Sequence, residues 1–351
     1  MADAPRILVI RRRYLGDIVL LGSVFRNLRL HWPDAQIALL AERNYASIGL
    51  LHPDVNRVRA FPAKLSEWPR FIRELRGTRF THVLDFDNTD KTALVTRLTG
   101  APVRVNYQRE LIPCKHRWVY TGSAVVSNDF YRTHHITETY LKLLGPAGVP
   151  VTSREVRLTP SADDVAVAQR FAGGPRRAAP GQRPRVLVHP GSRSRFRIWP
   201  AERFAAVCDQ LQDELDAQIF LIAGPGERAV ARDIRDHAQA HVVLMEEPFT
   251  TGQFAAFIAQ FDLMLCHDSG PMHIAAGVGT KVVALFGSQN AAIWRPVGDH
   301  HTILQTELPC TCLPDTPTPC VRDDSYRSYC VRKLSVETVF SAVAQTLGKH
   351  D

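Results

Sequence analysis

The feature that most constrains the fold of this chain is an alternation of short, β-branched apolar runs with longer segments of helical period, which occurs twice. Such an alternation is typical of βαβ units, because parallel strands need a crossover connection that is usually a helix. A first helix is predicted to begin near Asp17 and to continue through Leu28 on one apolar face. The strands predicted in the first half are Arg6–Ile10, Gln36–Ala41, His82–Asp87 and Val103–Asn106.

The pattern restarts after the segment GGPRRAAPGQRP, which has no apolar period and is dense in Gly, Pro and Arg. Such a composition predicts a linker. The strands predicted beyond it are Arg185–His189, Gln218–Ala223, Val242–Met245, Leu263–Cys266 and Val282–Phe286.

A chain of 351 residues exceeds the size at which single hydrophobic cores usually stop growing. We therefore predict an α/β fold of two Rossmann-like, doubly wound domains that face each other across a cleft. The expected organisation is a first domain over 1–172, a linker over 173–184, a second domain over 185–334 and a C-terminal helix over 335–351. The sequence leaves open whether that helix packs on the second domain or back on the first.

Composition excludes several classes of protein. With 45% hydrophobic and 22% charged residues, the chain is neither disordered nor disulfide-dense. No apolar run approaches the roughly 18 residues of a membrane-spanning helix, and the basic run Arg11–Arg13 follows the first apolar strand, the reverse of a signal peptide. We expect a cytoplasmic or peripherally membrane-bound protein whose cysteines are reduced.

The formal net charge of +8 favours an acidic partner, whether a nucleic acid, an anionic membrane or a phosphorylated substrate. No nucleic-acid recognition motif is present, so nucleic acid is the weakest of these alternatives. The basic clusters Arg11–Arg13 and Lys115–Arg117 are compatible with an anionic surface, although a charged run is more often a solvated face.

The loops that follow the strands are where chemistry is expected, since ligands of open parallel sheets bind beyond the carboxyl ends of the strands. The first loop reads RRRYLGD, in which Gly16 allows a tight turn and Asp17 stands near the start of a helix. This is not the G-x-G-x-x-G dinucleotide fingerprint. On spacing alone, an N-cap is the favoured interpretation of Asp17.

The second domain opens with VHPGSRSRFRIWP, a strand followed by a Gly/Ser loop with three arginines. Ser192 supplies donors to a phosphate, and Arg193, Arg195 or Arg197 supplies charge and a bidentate fork. An anion site is favoured over a solvated basic loop because the loop follows the carboxyl end of a strand. In the next loop, Glu227 is either a ribose ligand or part of a turn.

The fourth loop, HDSGPMH, is the sharpest signal for a phosphate site. Pro271 fits the first turn of a helix and Gly270 permits close approach of a ligand, so the N–H groups after Asp268, beginning at Ser269, predict a pyrophosphate site. His273, about one turn later, is either a donor to phosphate or sugar or a packed helical residue.

Together, the LGD, HPGS…RIWPAERF, AGPGE and CHDSGPMHIAAGVGTKVVALFGSQ segments resemble the ADP-heptose:lipopolysaccharide heptosyltransferases, glycosyltransferase family 9 with the GT-B fold. The resemblance runs in order from about residue 6 to residue 340. It implies inverting transfer of heptose from ADP-L-glycero-D-manno-heptose to a lipopolysaccharide inner-core acceptor, with no cofactor required. The implied partners are the ADP-heptose donor, an anionic lipid-linked saccharide and the cytoplasmic face of the inner membrane, with no nucleic acid.

By this resemblance, Asp17 is the general base and Arg197 stabilises the leaving diphosphate. Arg197 is a departure, because the family commonly has Lys at this position. The residues expected to bind the donor are Gly16, Ser192, Arg193, Glu227, Asp268, Ser269, Gly270 and His273.

Four alternatives stay open. One is a protein acceptor in place of a lipid, and another is a different nucleotide-sugar donor. The third is a transferase that uses a metal held by Asp85-Phe86-Asp87, and the fourth is a protein that binds nucleotide sugars without catalysis. A possible structural Zn or Fe site is a separate hypothesis, weighed against reduced thiols or an incidental disulfide. Its candidate ligands are Cys310, Cys312, Cys320 and Cys330.

Overall fold

The computed structural model describes residues 4–176, 182–193, 197–224, 226–305, 307 and 330–348. The chain forms two compact units, Met1–Thr159 and Pro160–Asp351. Each unit contains one parallel six-stranded sheet with helical connections. The expected α/β fold of two doubly wound domains is thereby confirmed. None of the helices in these ranges is long and apolar enough to cross a membrane.

In the first unit the strand order is β3-β2-β1-β4-β5-β6. The strands are β1 Arg6–Ile10, β2 Gln36–Ala41, β3 Arg57–Ala60, β4 His82–Asp85, β5 Val103–Arg109 and β6 Gly122–Val126. The helices are α1 Leu15–Leu20, α2 Gly22–His31, α3 Arg43–Ala46, α4 Trp68–Gly77, α5 Asp90–Leu98, α6 Asn128–Thr133 and α7 Ile136–Leu141. The chain winds outward from β1 in one direction and from β4 in the other, so the topological switch point lies between these two strands.

The second unit repeats this arrangement with the order β12-β11-β10-β7-β8-β9. The strands are β7 Arg185–His189, β8 Gln218–Ile222, β9 Val242–Met245, β10 Leu263–His267, β11 Lys281–Leu285 and β12 Thr302–Leu304. The helices are α8 Ala162–Phe171, α9 Ala201–Leu215, α10 Arg228–His237, α11 Thr251–Ile258, α12 Gly270–Gly277, α13 Ala291–Trp294 and α14 Val336–Leu347. Here the switch point lies between β7 and β10, which pair so that His189 lies beside Cys266.

Three strands were not predicted, namely β3, β6 and β12. All three lie at sheet edges, where one side of the strand has no neighbour and the continuous apolar pattern of a central strand is not needed. The helix predicted from Asp17 through Leu28 is divided into α1 and α2, because the N–H of Leu21 bonds to the carbonyl of Ile18 and tightens the turn.

The boundary between the units lies 13 residues before the expected one, between Thr159 and Pro160 rather than after 172. The reason is that α8 packs against α11 of the second unit, where Phe171 contacts Phe249 edge-on and the Asp164 carboxylate lies against Gly252. Of the expected linker, residues 177–181 lie outside the described residues.

The C-terminal helix α14 packs within the second unit, against α9, β10 and β11. Val339 and Val343 are fully buried there in the same apolar cluster as Leu211 of α9. The Lys281 Nζ at the start of β11 donates to the Thr346 carbonyl at 2.7 Å. This packing answers the question that the sequence left open.

Candidate active site

The first switch point carries a buried carboxylate. β1 ends at Ile10, and α1 begins five residues later at Leu15, with Asp17 in its first turn and only 8% exposed. The Tyr14 N–H donates to Asp17 Oδ2 at 3.1 Å. A carboxylate in the first turn of a helix is stabilised by the unpaired N–H groups there. Asp17 therefore bonds back to the residue preceding the helix, from the third helical position rather than as the N-cap itself.

Two further donors hold the other oxygen of Asp17. The Arg11 guanidinium donates through Nη2 to Oδ1 at 2.5 Å, and the Tyr140 hydroxyl of α7 donates to the same oxygen at 2.7 Å. Tyr140 is fully buried and its ring packs edge-on against Phe86. Because Oδ1 accepts two bonds and Oδ2 accepts one, Oδ2 retains more capacity to accept a proton or a hydroxyl.

Arg11 is shared by two carboxylates. Its Nη1 donates to the Phe86 carbonyl at 2.8 Å and lies 3.3 Å from Asp87 Oδ1. Burial alone lowers the pKa of Arg11, but Tyr140, Asp17 and Asp87 together raise it above its usual value, so the guanidinium stays charged. Burial raises the pKa of Asp87 to about 6, and Arg11 opposes that rise.

Asp85 and Asp87, the candidate metal ligands of the D-x-D alternative, accept hydrogen bonds from neighbouring groups at this edge of the sheet. Asp85 is fully buried, and its oxygens accept the Tyr120 hydroxyl at 2.7 Å and the Asp87 N–H at 2.9 Å. Asp87 in turn accepts the Arg12 N–H at 2.5 Å in addition to its pairing with Arg11. These contacts give both carboxylates a role in fixing the loop.

In the second unit, Glu227 and Gly191 lie in direct contact. A Cβ built on Gly191 would lie 2.0–2.1 Å from the Glu227 carboxyl atoms, a separation that real structures do not show. The carboxylate also accepts the Gly224 N–H at 3.1 Å and lies 3.5 Å from His189 Nε2. Glu227 can therefore lie over the end of β7 only because residue 191 is glycine.

The loops after β7 and β10 meet at the second switch point, where Arg197 Nη1 lies 3.3 Å from Asp268 Oδ2. Burial raises the pKa of Asp268 to about 6, against the opposing effects of Arg197 and Arg193. Ser192 is half-buried beside Gly191, and Arg193 is exposed.

Helix α12 begins at Gly270 directly after this loop, with Ser269 as its N-cap. In the part of the chain that the structure describes, the buried Ser269 Oγ has no hydrogen-bond partner. His273 lies one turn further along the helix and is buried. A helix N-terminus with an unsatisfied hydroxyl beside it offers hydrogen-bond donors to an anion.

The family was identified by comparison with known proteins. A model of glycosyltransferase family 9 (heptosyltransferase) matches residues 68–322, which is more than half of the chain. The chain belongs to this family. It is therefore a glycosyltransferase, as the sequence motifs predicted.

Individual relatives agree with this assignment. The glycosyltransferase is 27% identical over 311 residues to lipopolysaccharide heptosyltransferase 3 of Escherichia coli, covering 81% of this chain and 84% of the relative. It superposes on the family 9 glycosyltransferase of Veillonella parvula DSM 2008 with a TM-score of 0.83 at 20% identity, covering 100% and 99% of the two chains. The E. coli ADP-heptose LPS heptosyltransferase II superposes with a TM-score of 0.76 at 20% identity, covering 98% and 99%. These two solved structures confirm the GT-B fold.

The structure groups the expected site residues of this glycosyltransferase by unit. Gly16 and Asp17 belong to the first unit, and the other eight belong to the second. Arg195 lies outside the described residues.

Sequence reasoning missed the partners that hold these residues. Tyr140 lies 123 residues from Asp17 along the chain, and no local pattern links the two. His267 is fully buried and its Nε2 accepts the Trp199 N–H at 2.9 Å, which anchors the loop that carries Arg197. Burial lowers the pKa of His267 to about 3, so the ring stays neutral and can accept this bond.

The cysteine hypothesis stays a prediction for this glycosyltransferase. Cys310, Cys312 and Cys320 lie outside the described residues, and Cys330 precedes the short helix Val331–Lys333. Within the described ranges, no group of three or more His, Cys, Asp or Glu side chains is placed to hold a metal ion.

The buried Asp268 predicts a pH-dependent cost in stability. Its pKa is about 6 in the fold against 3.8 for an ordinary aspartate, so the folded state binds the proton more tightly and stability falls as pH rises between these values. Asp268→Asn removes this titration. The free energy of unfolding of the variant, relative to the wild type, should rise by about 2 kcal/mol between pH 4 and pH 8.

Urea unfolding of the full chain at both pH values measures this difference. The control is Asp236→Asn, whose side chain is 61% exposed. An equal change in the control, or a difference between Asp268→Asn and the wild type that is the same at both pH values, would contradict the assignment.

Proposed function

We propose that this glycosyltransferase transfers heptose from ADP-L-glycero-D-manno-heptose to an anionic, lipid-linked inner-core acceptor of lipopolysaccharide, with inversion and without a metal. The names of the relatives support this choice of donor and acceptor, since one is a lipopolysaccharide heptosyltransferase and another an ADP-heptose heptosyltransferase. The single observation that carries the chemistry is the buried, triply hydrogen-bonded carboxylate of Asp17 at the switch point of the first unit.

Asp17 is the proposed general base. Three hydrogen bonds from Arg11, Tyr140 and Tyr14 hold its carboxylate in a fixed orientation, and a carboxylate is a modest base. A modest base suffices for a reaction in which the anomeric carbon becomes electron-poor before the nucleophile is fully deprotonated. The less occupied Oδ2 is the oxygen that we assign to the acceptor hydroxyl.

The donor diphosphate is proposed to bind at the start of α12. Ser269 Oγ and the first N–H groups of the helix, from Gly270 onward, supply donors, and Ser192 and Arg193 supply a hydroxyl and a charge from the loop after β7. Arg197 contacts Asp268 through one terminal nitrogen, which leaves the rest of its fork for a phosphate oxygen.

The remaining donor contacts are assigned by position. Glu227 is proposed to accept hydrogen bonds from the ribose hydroxyls. Gly16 permits close approach of the donor beside Asp17, and His273 is proposed to bind phosphate or sugar from α12.

The reaction is a direct displacement. A bond forms between the acceptor oxygen and the anomeric carbon while the bond from that carbon to the diphosphate oxygen breaks, and ADP leaves with the electron pair. The acceptor proton passes to Asp17. Arg197 and the N-terminus of α12 stabilise the negative charge that develops on the leaving diphosphate. Attack opposite to the leaving group inverts the anomeric centre.

One residue favours a second candidate donor. Arg197 stands where the family commonly has Lys, and a planar fork contacts phosphate oxygens differently from a compact ammonium group. A donor other than ADP-heptose is therefore the alternative, and a protein acceptor in place of a lipid is compatible with the same donor loops.

The function is tested with a donor panel of ADP-heptose, ADP-glucose, UDP-glucose and GDP-mannose, with and without chelator. We expect selective use of ADP-heptose that chelator does not change. Asp17→Asn should reduce kcat by about 10²–10⁴-fold, because the base is lost, while ADP binding measured by calorimetry is retained.

The control is Asp129→Asn, an exposed carboxylate in the same unit. Preference for another donor would overturn the heptose assignment. Full activity in Asp17→Asn would overturn the assignment of the base, and loss with chelator would restore the metal alternative.

The contact between Gly191 and Glu227 gives a test of the ribose assignment. Gly191→Ala forces the Glu227 carboxylate away from the end of β7, so the Kd for ADP should rise by about tenfold through lost hydrogen bonds. Gly226→Ala is the matched control in the same loop as Glu227, since a Cβ there meets nothing within 4 Å. Equal affinities of the two variants for ADP would show that Glu227 does not contact the nucleotide.

Tyr140 is proposed to position the base through its hydrogen bond to Asp17. In Tyr140→Phe a donor to the Asp17 carboxylate is lost and the base is held less firmly, so kcat should fall by about tenfold while the Kd for ADP stays unchanged. Tyr120→Phe is the matched control, because its hydroxyl donates to the neighbouring Asp85 instead. An equal fall in kcat in Tyr120→Phe would indicate that Tyr140 only supports packing.

A further inference from the structure

The segment Leu111–Trp118, which follows β5, presents large apolar side chains to solvent. Leu111 is 77% exposed, Ile112 is 58% exposed and Trp118 is 72% exposed. Single exposed apolar residues are ordinary on a protein surface, but three within eight residues of sequence call for an explanation.

Hydrogen bonds hold the backbone on both sides of these exposed side chains. The Glu110 N–H bonds to the Val126 carbonyl at 2.9 Å, and the Ile112 N–H closes a turn on the Arg109 carbonyl at 3.0 Å. Further along, the Val119 carbonyl accepts the Arg104 Nε at 2.7 Å. The backbone is therefore held at both ends of the segment.

The inner side of this region is buried. Val119 and Tyr120 pack with Ala93 of α5, and Cys114 packs against the same small cluster. The region is therefore two-sided, since these residues anchor it to the first unit while Leu111, Ile112 and Trp118 point outward.

Basic side chains accompany the apolar ones. Residues 104–132 contain five Lys or Arg and two Asp or Glu. Lys115 pairs at 3.0 Å with Asp90, but both side chains are 71% exposed, and an exposed pair of this kind is weak and readily exchanged. Arg117 is exposed between Lys115 and Trp118.

We propose that the segment Leu111–Trp118 docks this glycosyltransferase onto an anionic phospholipid bilayer, with Leu111, Ile112 and Trp118 entering the interfacial region and Lys115 and Arg117 contacting the headgroups. Trp and aliphatic side chains next to Lys and Arg are the composition that interfacial binding favours. Residues 104–132 carry three more basic than acidic side chains, and Asp90 offsets one of these, so the region keeps a net positive charge that complements anionic lipid.

The position of the segment fits the proposed acceptor. It follows the carboxyl end of β5, and the carboxyl ends of β1 and β4 at the same edge of the sheet carry Asp17 and Asp87. The biological purpose of the docking rests on the proposed lipid-linked acceptor. The docking itself does not depend on it, because lipid binding is measured without donor or acceptor. Failure of one proposal is thus distinguishable from failure of the other.

The test is flotation of the full chain with phosphatidylcholine vesicles, with and without phosphatidylglycerol. The wild type should bind the vesicles that contain phosphatidylglycerol. The double variant Leu111→Ser/Trp118→Ser should bind them about tenfold or more weakly. The matched control is Leu50→Ser/Leu65→Ser, which removes two leucines that are 69% and 88% exposed elsewhere in the same unit, and it should bind like the wild type.

A second measurement reports insertion directly. Brominated phosphatidylglycerol should quench tryptophan fluorescence of the wild type, and Trp118→Phe should lose most of this quenching while still binding.

Three outcomes would overturn the proposal. They are a wild type that does not bind, a Leu111→Ser/Trp118→Ser variant that binds as tightly as the wild type, and quenching that Trp118→Phe does not change. If Leu111→Ser/Trp118→Ser changed the oligomeric state of the protein and not its binding to vesicles, the surface would instead be assigned to contact with a second copy of the chain.

Discussion

The pairing of β1 with β4 and of β7 with β10 determines where chemistry is possible in this molecule. At both pairs the direction of winding reverses, so the connecting loops diverge and leave the carboxyl ends of two neighbouring strands uncovered. Asp17 and Asp87 follow the first pair, and Gly191 and Asp268 follow the second. The same topology therefore builds two polar loop clusters, an acidic one organised by a buried arginine and one at the N-terminus of α12.

Buried charge sets the character of both clusters. In the first unit one guanidinium lies between two carboxylates, so opposite charges meet where all three side chains are largely buried. In the second unit Arg197 only partly offsets the burial of Asp268. Such arrangements contribute little to net stability, because the desolvation of the ions offsets their attraction. They do fix side-chain positions, which a binding site requires.

The sequence could predict the features that depend on neighbouring residues, but not the contacts between residues far apart along the chain. Central strands such as β1 and β10 are buried on both faces and read as continuous apolar runs, and the loops after them carry the recognisable motifs. The edge strand β3, RVRA, lacks such a run. Tyr140 and His267 were not predicted as partners because their contacts depend on tertiary folding rather than on spacing along the chain. Similarly, α8 could not be assigned to its unit from its own amphipathic pattern, since that pattern does not specify the partner helix.

The contact between Gly191 and Glu227 has a consequence for how relatives of this chain can diverge. The Cβ of any larger residue at 191 would occupy the space that the carboxylate fills, so a change there is tolerated only when residue 227 becomes shorter or turns away. The two positions should therefore covary among homologues, as a small residue at one permits a long acidic residue at the other. In an alignment, such a pair would mark a shared volume rather than a hydrogen bond.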